Sequence, residues 1–264
     1  MATLTELALL NGAINGKNPI PAGWALISAL KTADPSISYA ANAYYNESTN
    51  EIVVVNDAPP FFDPGVVSTY AAIGQGQVSS DESDAIAFAQ QVALVAAQEF
   101  PNAKIIETGW SRGGADAQAA DAALANNGLI NVSGVTFQAP GISSSLYTPG
   151  FSYNVLNLYN QGDVVAHLGG SHIGISTSIL AGPSYADEAL AAVTGALSGA
   201  RAGAGGAAVG GFMSLVSELF GDFVGSAHSI RTSIQYLNDL NLGNEINKEY
   251  LALTHPQHSP IIQG

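Results

Sequence analysis

The 264-residue sequence predicts an α/β fold: a mostly parallel central sheet with helices on both faces. Three observations carry that expectation. Short β-branched runs alternate with alanine-rich helical stretches through the middle of the chain, in the order strand, helix, strand, helix, strand, strand. Hydrophobic residues make up 47% of the chain and charged residues only 11%, which is enough for one sizeable core. Turn-forming Gly, Asn and Pro fall between the apolar runs rather than inside them. We read residues 1–264 as a single domain carrying a long insertion.

The elements follow in order. The N-terminus, MATLTELALLNGAING, places Glu6 where a secretion signal needs basic residues, and its apolar run is short, so it reads as a helix of the fold. Ser38 to Tyr45 and Glu51 to Asn56 read as strands joined by the turn NESTN. The prolines of APPFFDPG forbid a continuing central strand. Ser79 and Glu82 have capping-box spacing ahead of a helix on which Ile86, Ala89, Val92, Ala93 and Val95 recur; Pro101 follows its end. Ala103 to Thr108 is a buried strand, ADAQAADAALANNG a helix stopped at Asn127-Gly128, and Val132 to Gln138 and Asn154 to Tyr159 are two further strands. In such sheets, sites form at the carboxyl ends of the strands.

Beyond these elements the composition changes. Residues 189–217 are nearly all Ala, Gly, Val, Leu and Ser, with Arg201 as the only basic residue. Glycines at 195, 199 and 203 and the central arginine argue against a membrane span. We read 186–224 as an insertion packed over the domain, or as a lid that makes transient contact with a lipid surface. His228 to Leu240 has amphipathic helical spacing, and THPQHSPIIQG is a loose tail.

Charge and cysteine usage exclude whole classes. With 21 acidic against 7 basic residues the net charge is −14, which repels nucleic-acid phosphates and anionic lipid heads. The absence of cysteine rules out disulfides, thiolate metal sites and a cysteine nucleophile. The compartment expected is extracellular, reached by a route that reads another segment, with the cytoplasm as the alternative.

Gly109-Trp110-Ser111-Arg112-Gly113 is a G-x-S-x-G pentapeptide between a buried strand and a helix with small residues on its first turns. A serine on so tight a turn takes strained backbone angles, and only glycines two residues to either side avoid collision. The turn is expected to expose the hydroxyl and to set the Arg112 N–H beside a developing oxyanion at a helix N-terminus. A serine nucleophile needs a base, and the base an orienting carboxylate. Asp163 follows the strand NVLNLY and is the expected acid. Of the five histidines, His228 is the preferred base and His172 the alternative. His167, His255 and His258 read as loop or surface residues. The second oxyanion donor is expected from the backbone of Asp57 or Ala58, after EIVVVN. The Arg112 side chain is expected to pair with Asp116 one helical turn on, in preference to an acidic substrate group.

The ordered set EIVVVND, IIETGWSRGGADAQAA, TFQAPG and NVLNLYNQGDVVAHLGGSHIG resembles the class 3 lipases and their bacterial lipase-like relatives, over roughly residues 39–174. That resemblance implies an α/β-hydrolase fold acting on carboxylic esters, mainly lipids. By it, Ser111 matches the nucleophile, Asp163 the acid, His228 the base, and His172 a non-catalytic histidine after the acid. Two segments depart from the pattern. Trp110-Ser111-Arg112 stands where the family has His-Ser-Leu, and Asn56-Asp57-Ala58 where it has Arg-Gly-Thr. The expected function is hydrolysis of a hydrophobic acyl ester through an acyl-enzyme, needing neither metal nor organic cofactor. The alternatives are a thioesterase, polyester depolymerase or peptidase, or a non-catalytic interaction module on the same fold.

Overall fold

The computed structural model describes residues 1–34, 39–57, 72, 75–160, 163 and 165–180. The expected insertion at 186–224, the base His228, the helix after it and the tail histidines lie outside the described residues, as does Ala58. The described elements are α1 (Leu4–Ala13), β1 (Ala25–Asp34), β2 (Tyr39–Asn46), β3 (Glu51–Asn56), α2 (Ser80–Glu99), β4 (Lys104–Trp110), α3 (Arg112–Asn126), β5 (Val132–Phe137), β6 (Val155–Asn160) and β7 (Ile175–Leu180). A 3₁₀ turn, Val165–His167, links the last two strands.

These strands form one sheet in sequence order. β1, β2 and β3 are antiparallel, and β3 to β7 run parallel. The crossovers through α2 and α3 step along the sheet in one direction. With the right-handed crossover that strand twist favours, both helices must then lie on the same face. They do: Phe88, Ala89 and Val92 of α2 and Ala120 and Leu124 of α3 pack on Ile52, Val54 and Ile105. The other face belongs to α1, whose Leu4, Leu7 and Leu10 pack on Val53, Val55, Ile106, Val135 and Leu158. Helices therefore cover both faces, as the alternation in the sequence requires.

The caps match their sequence signals. Glu82 N–H donates to Ser79 Oγ at 3.2 Å, and Ser79 N–H donates to Glu82 Oε2 at 2.8 Å. Thr3 and Glu6 repeat the same box at α1. Gly128 takes φ +86° just past α3, the left-handed stop that glycine adopts without a Cβ penalty. Two strands lie where the sequence reading placed none. β1 is an edge strand with a register shift between Leu26 and Lys31, and β7 ends the described sheet on the other side.

Candidate active site at the carboxyl edge of the sheet

Ser111 occupies the junction of β4 and α3 with φ +57° and ψ −129°, a left-handed backbone that costs a non-glycine residue about 1–3 kcal/mol. The surrounding backbone enforces it. Ser111 N–H donates to the Phe137 carbonyl at 2.9 Å, and Gly114 N–H donates back to the Ser111 carbonyl at 2.9 Å. A Cβ on Gly109 would collide with the Gly113 carbonyl, and one on Gly113 with the Asn56 carbonyl. The glycine spacing is thus the packing requirement of a helix that starts against two strand ends. Ser111 is only 6% exposed, however. The expected exposure of the hydroxyl is not found: tying the Ser111 N–H to β5 sinks the residue between the end of that strand and the first turn of α3.

Arg112 is the first residue of α3, a position whose backbone N–H has no acceptor within its own helix and lies at the positive end of the helix dipole. Its side chain overturns the expected pairing. Arg112 Nε lies 3.2 Å from Asp81 Oδ2 on the first turn of α2, both side chains being almost wholly buried. Side chains on a helix lean toward its N-terminus, so a residue at the first position reaches back out of its own helix instead of forward to Asp116. Asp116, also buried, has its carboxyl pushed well above the usual range by burial and then by Asp81, with Arg112 opposing.

Asp163 is fully buried three residues past β6, on the same edge. Its Oδ1 accepts the Val165 N–H at 2.9 Å, and its own N–H donates to the Asn160 carbonyl at 2.9 Å. His172 sits differently. Its Nε2 is 2.8 Å from the Ala166 carbonyl and its Nδ1 is 3.3 Å from Gln118 Oε1, which also accepts the Ile173 N–H. Both ring nitrogens face oxygens that can only accept, and the shorter contact, to the Ala166 carbonyl, is the one that Nε2–H makes as donor. Burial lowers this imidazole below its ordinary pKa, and the loop after Asp163 is tied to α3 by the Ile173 N–H donating to Gln118 Oε1.

The oxyanion expectation needs correction at Asp57. Its N–H donates to the Ala40 carbonyl at 2.8 Å, extending the β2–β3 ladder by one rung, and is therefore engaged. Beside it, Asn11, Asn15, Lys17, Asn56, Asp57 and Trp110 line a cleft on the α1 side of the elbow. Sequence reasoning missed Asp81, the partner of Arg112. Its only signal was its place in a first helical turn. Among the described residues no cluster of His, Asp or Glu is arranged to hold a metal ion, and no helix is long and apolar enough to cross a membrane.

No protein-family model and no curated protein matches the sequence. Solved structures do. The lipase from Rhizopus microsporus var. chinensis superposes with a TM-score of 0.51 at 18% identity, over 68% of this chain and 74% of that one. Lipase II from Rhizopus niveus gives 0.52 at 16% identity, over 68% and 80%. The Rhizomucor miehei lipase propeptide complex gives 0.50 at 20% identity, over 66% and 67%. At these identities the likeness is one of architecture. The mostly parallel sheet, its helix-covered faces and its strained serine at the β4–α3 junction are thus set in the α/β-hydrolase fold of the fungal lipases.

Proposed function

We propose that the chain is a serine hydrolase of carboxylic esters, with Ser111 as nucleophile and a hydrophobic acyl ester as substrate. The observation that carries this reading is Ser111 itself, held at φ +57° between a buried strand and a helix N-terminus. Strain of that kind persists where function needs the side chain there. The fold shared with proteins named as lipases supports the substrate class.

In this proposal Ser111 Oγ attacks the ester carbonyl while His228 takes its proton, and Asp163 orients the imidazole. The oxyanion that forms meets the Arg112 N–H, strengthened by the α3 dipole. Because the Asp57 N–H is engaged, the second donor we propose is the Ala58 N–H, the other candidate from the same loop. His228 then returns the proton to the departing alcohol, leaving an acyl-serine. Water, activated by His228, attacks that ester, and the carboxylic acid leaves as Oγ regains its proton. We propose the apolar insertion, 186–224, as a lid on its composition alone, with 189–217 meeting the lipid surface and the whole chain forming one domain. We place the protein outside the cell.

One observation favours a second reading. The engaged Asp57 N–H takes away one expected oxyanion donor, as it would in a module that kept the fold without the chemistry. Hydrolysis of short- and long-chain p-nitrophenyl esters by wild type, Ser111→Ala and His228→Ala separates the two. Turnover lost in both variants supports the hydrolase, and a wild type that releases no p-nitrophenol sinks it. Abolition by His172→Ala with His228→Ala intact would move the base to His172.

A further inference from the structure

The side chain of Asn56, the last residue of β3, joins three strands at the carboxyl edge of the sheet. Its Oδ1 accepts from the hydroxyl of Tyr39, at the start of β2, at 2.8 Å. Its Nδ2 donates to Oε2 of Glu107, in β4, at 3.1 Å. All three residues are almost wholly buried. An amide has one accepting and one donating end, so it answers a hydroxyl on one side and a carboxyl oxygen on the other. An apolar residue of the same size would make neither bond. Asn56 is also one of the positions where the sequence departs from the lipase pattern, with asparagine in place of arginine.

This clip lies against the elbow. The register pairs Asn56 with Gly109, the first glycine of the G-x-S-x-G turn, and Glu107 is two residues before that glycine on the same strand. The Asn56 carbonyl occupies the space that a Cβ on Gly113 would need, so the first turn of α3 rests on this residue. Ser111 and Arg112 therefore stand between two glycines that both adjoin Asn56. We infer that Asn56 is a positioning residue for the proposed hydrolase: its side-chain bonds to Tyr39 and Glu107 hold the end of β3 at the height on which Gly113 packs, and so fix where the elbow and the first turn of α3 stand on the sheet. It acts through Gly113 and not on the ester. Reacting groups misplaced by an ångström cost on the order of a hundredfold in rate.

The inference rests on the hydrolase reading, and one set of assays separates the two. Wild type, Asn56→Leu, Asn56→Asp and Tyr39→Phe are compared for kcat and KM on a p-nitrophenyl ester and for thermal unfolding. Asn56→Leu keeps the volume and loses both bonds, so kcat of the folded protein is expected to fall about ten- to a hundredfold with KM within about twofold. Asn56→Asp faces Glu107 with a second carboxyl. The pair can share a proton at low pH and repels once that proton leaves, so kcat relative to wild type is expected to be higher at about pH 6 than at about pH 8. Wild-type kcat in Asn56→Leu, or a loss carried by KM instead of kcat, overturns the inference and leaves the hydrolase standing. So does an Asn56→Asp variant as slow as Asn56→Leu at both pH values. If Asn56→Leu does not fold, Tyr39→Phe, which removes a single bond, decides: kcat lowered about fivefold at constant KM supports the clip, and wild-type kcat overturns it. A wild type inactive on every ester overturns both.

Discussion

The two faces of the sheet are built from different chemistry. Under α1 the interface is leucine, valine, isoleucine and aromatic, with Asn11 donating to Thr108 as a polar exception. Under α2 and α3 an apolar patch adjoins a layer of enclosed acids: Asp81, Glu107, Asp116 and Asp121. Only part of that layer is paired. Arg112 meets Asp81, and Glu107 Oε2 accepts from Asn56, whose own Oδ1 accepts from Tyr39. Among the described residues, no hydrogen-bond partner reaches the carboxyl oxygens of Asp116 or Asp121. Burial accordingly pushes Glu107 and Asp116 well above the usual carboxylate range and Asp121 up to about 8. Behind the elbow, burial thus favours the protonated form of Glu107, Asp116 and Asp121 beside the Arg112–Asp81 pair, whereas the α1 face holds no such buried layer of acids.

The difference can be broken in several ways. The largest loss is expected from Arg112→Met, which leaves Asp81 buried without its ion-pair partner: about 3–5 kcal/mol in urea unfolding. On the opposite face Leu7→Ala opens a cavity and is expected to cost about 2–5 kcal/mol, by about the same amount at pH 5 and pH 8, because the lost contacts are apolar. The wild type is expected to lose stability as pH rises from about 4 toward 8. The unfolded chain releases these protons near pH 4, while the folded chain holds the Asp121 proton up to about 8, so unfolding is progressively favoured across that window. Asp121→Asn should flatten this slope; a urea midpoint that climbs with pH in wild type would contradict the neutral layer. The smallest effect is Ser79→Ala, about 1 kcal/mol from the α2 cap.

Much of this was legible in the sequence where one local rule suffices. The Ser79–Glu82 cap, the Gly128 stop and the β2–β3 hairpin each follow from a few neighbouring residues. β1 was not legible, because a strand at the sheet edge with a register shift buries little beyond Leu30 and so carries no alternation. At the site, the strained serine was readable from glycine spacing. The Arg112–Asp81 pair was not, since it depends on how two helix N-termini meet. The engaged Asp57 N–H needed the β2–β3 register to be seen. The formal −14 could not show that several of the acids it counts, Glu107 and Asp116 among them, are enclosed, where burial raises their pKa.

Every functional step here hangs on the reactivity of Ser111. The most direct measurement is peptide mass spectrometry of the protein after exposure to a fluorophosphonate. A phosphonyl adduct on the peptide containing Ser111, absent when the protein is first unfolded in urea, is the expected result. An unmodified Ser111 in folded protein, or an adduct at another serine, would contradict the account.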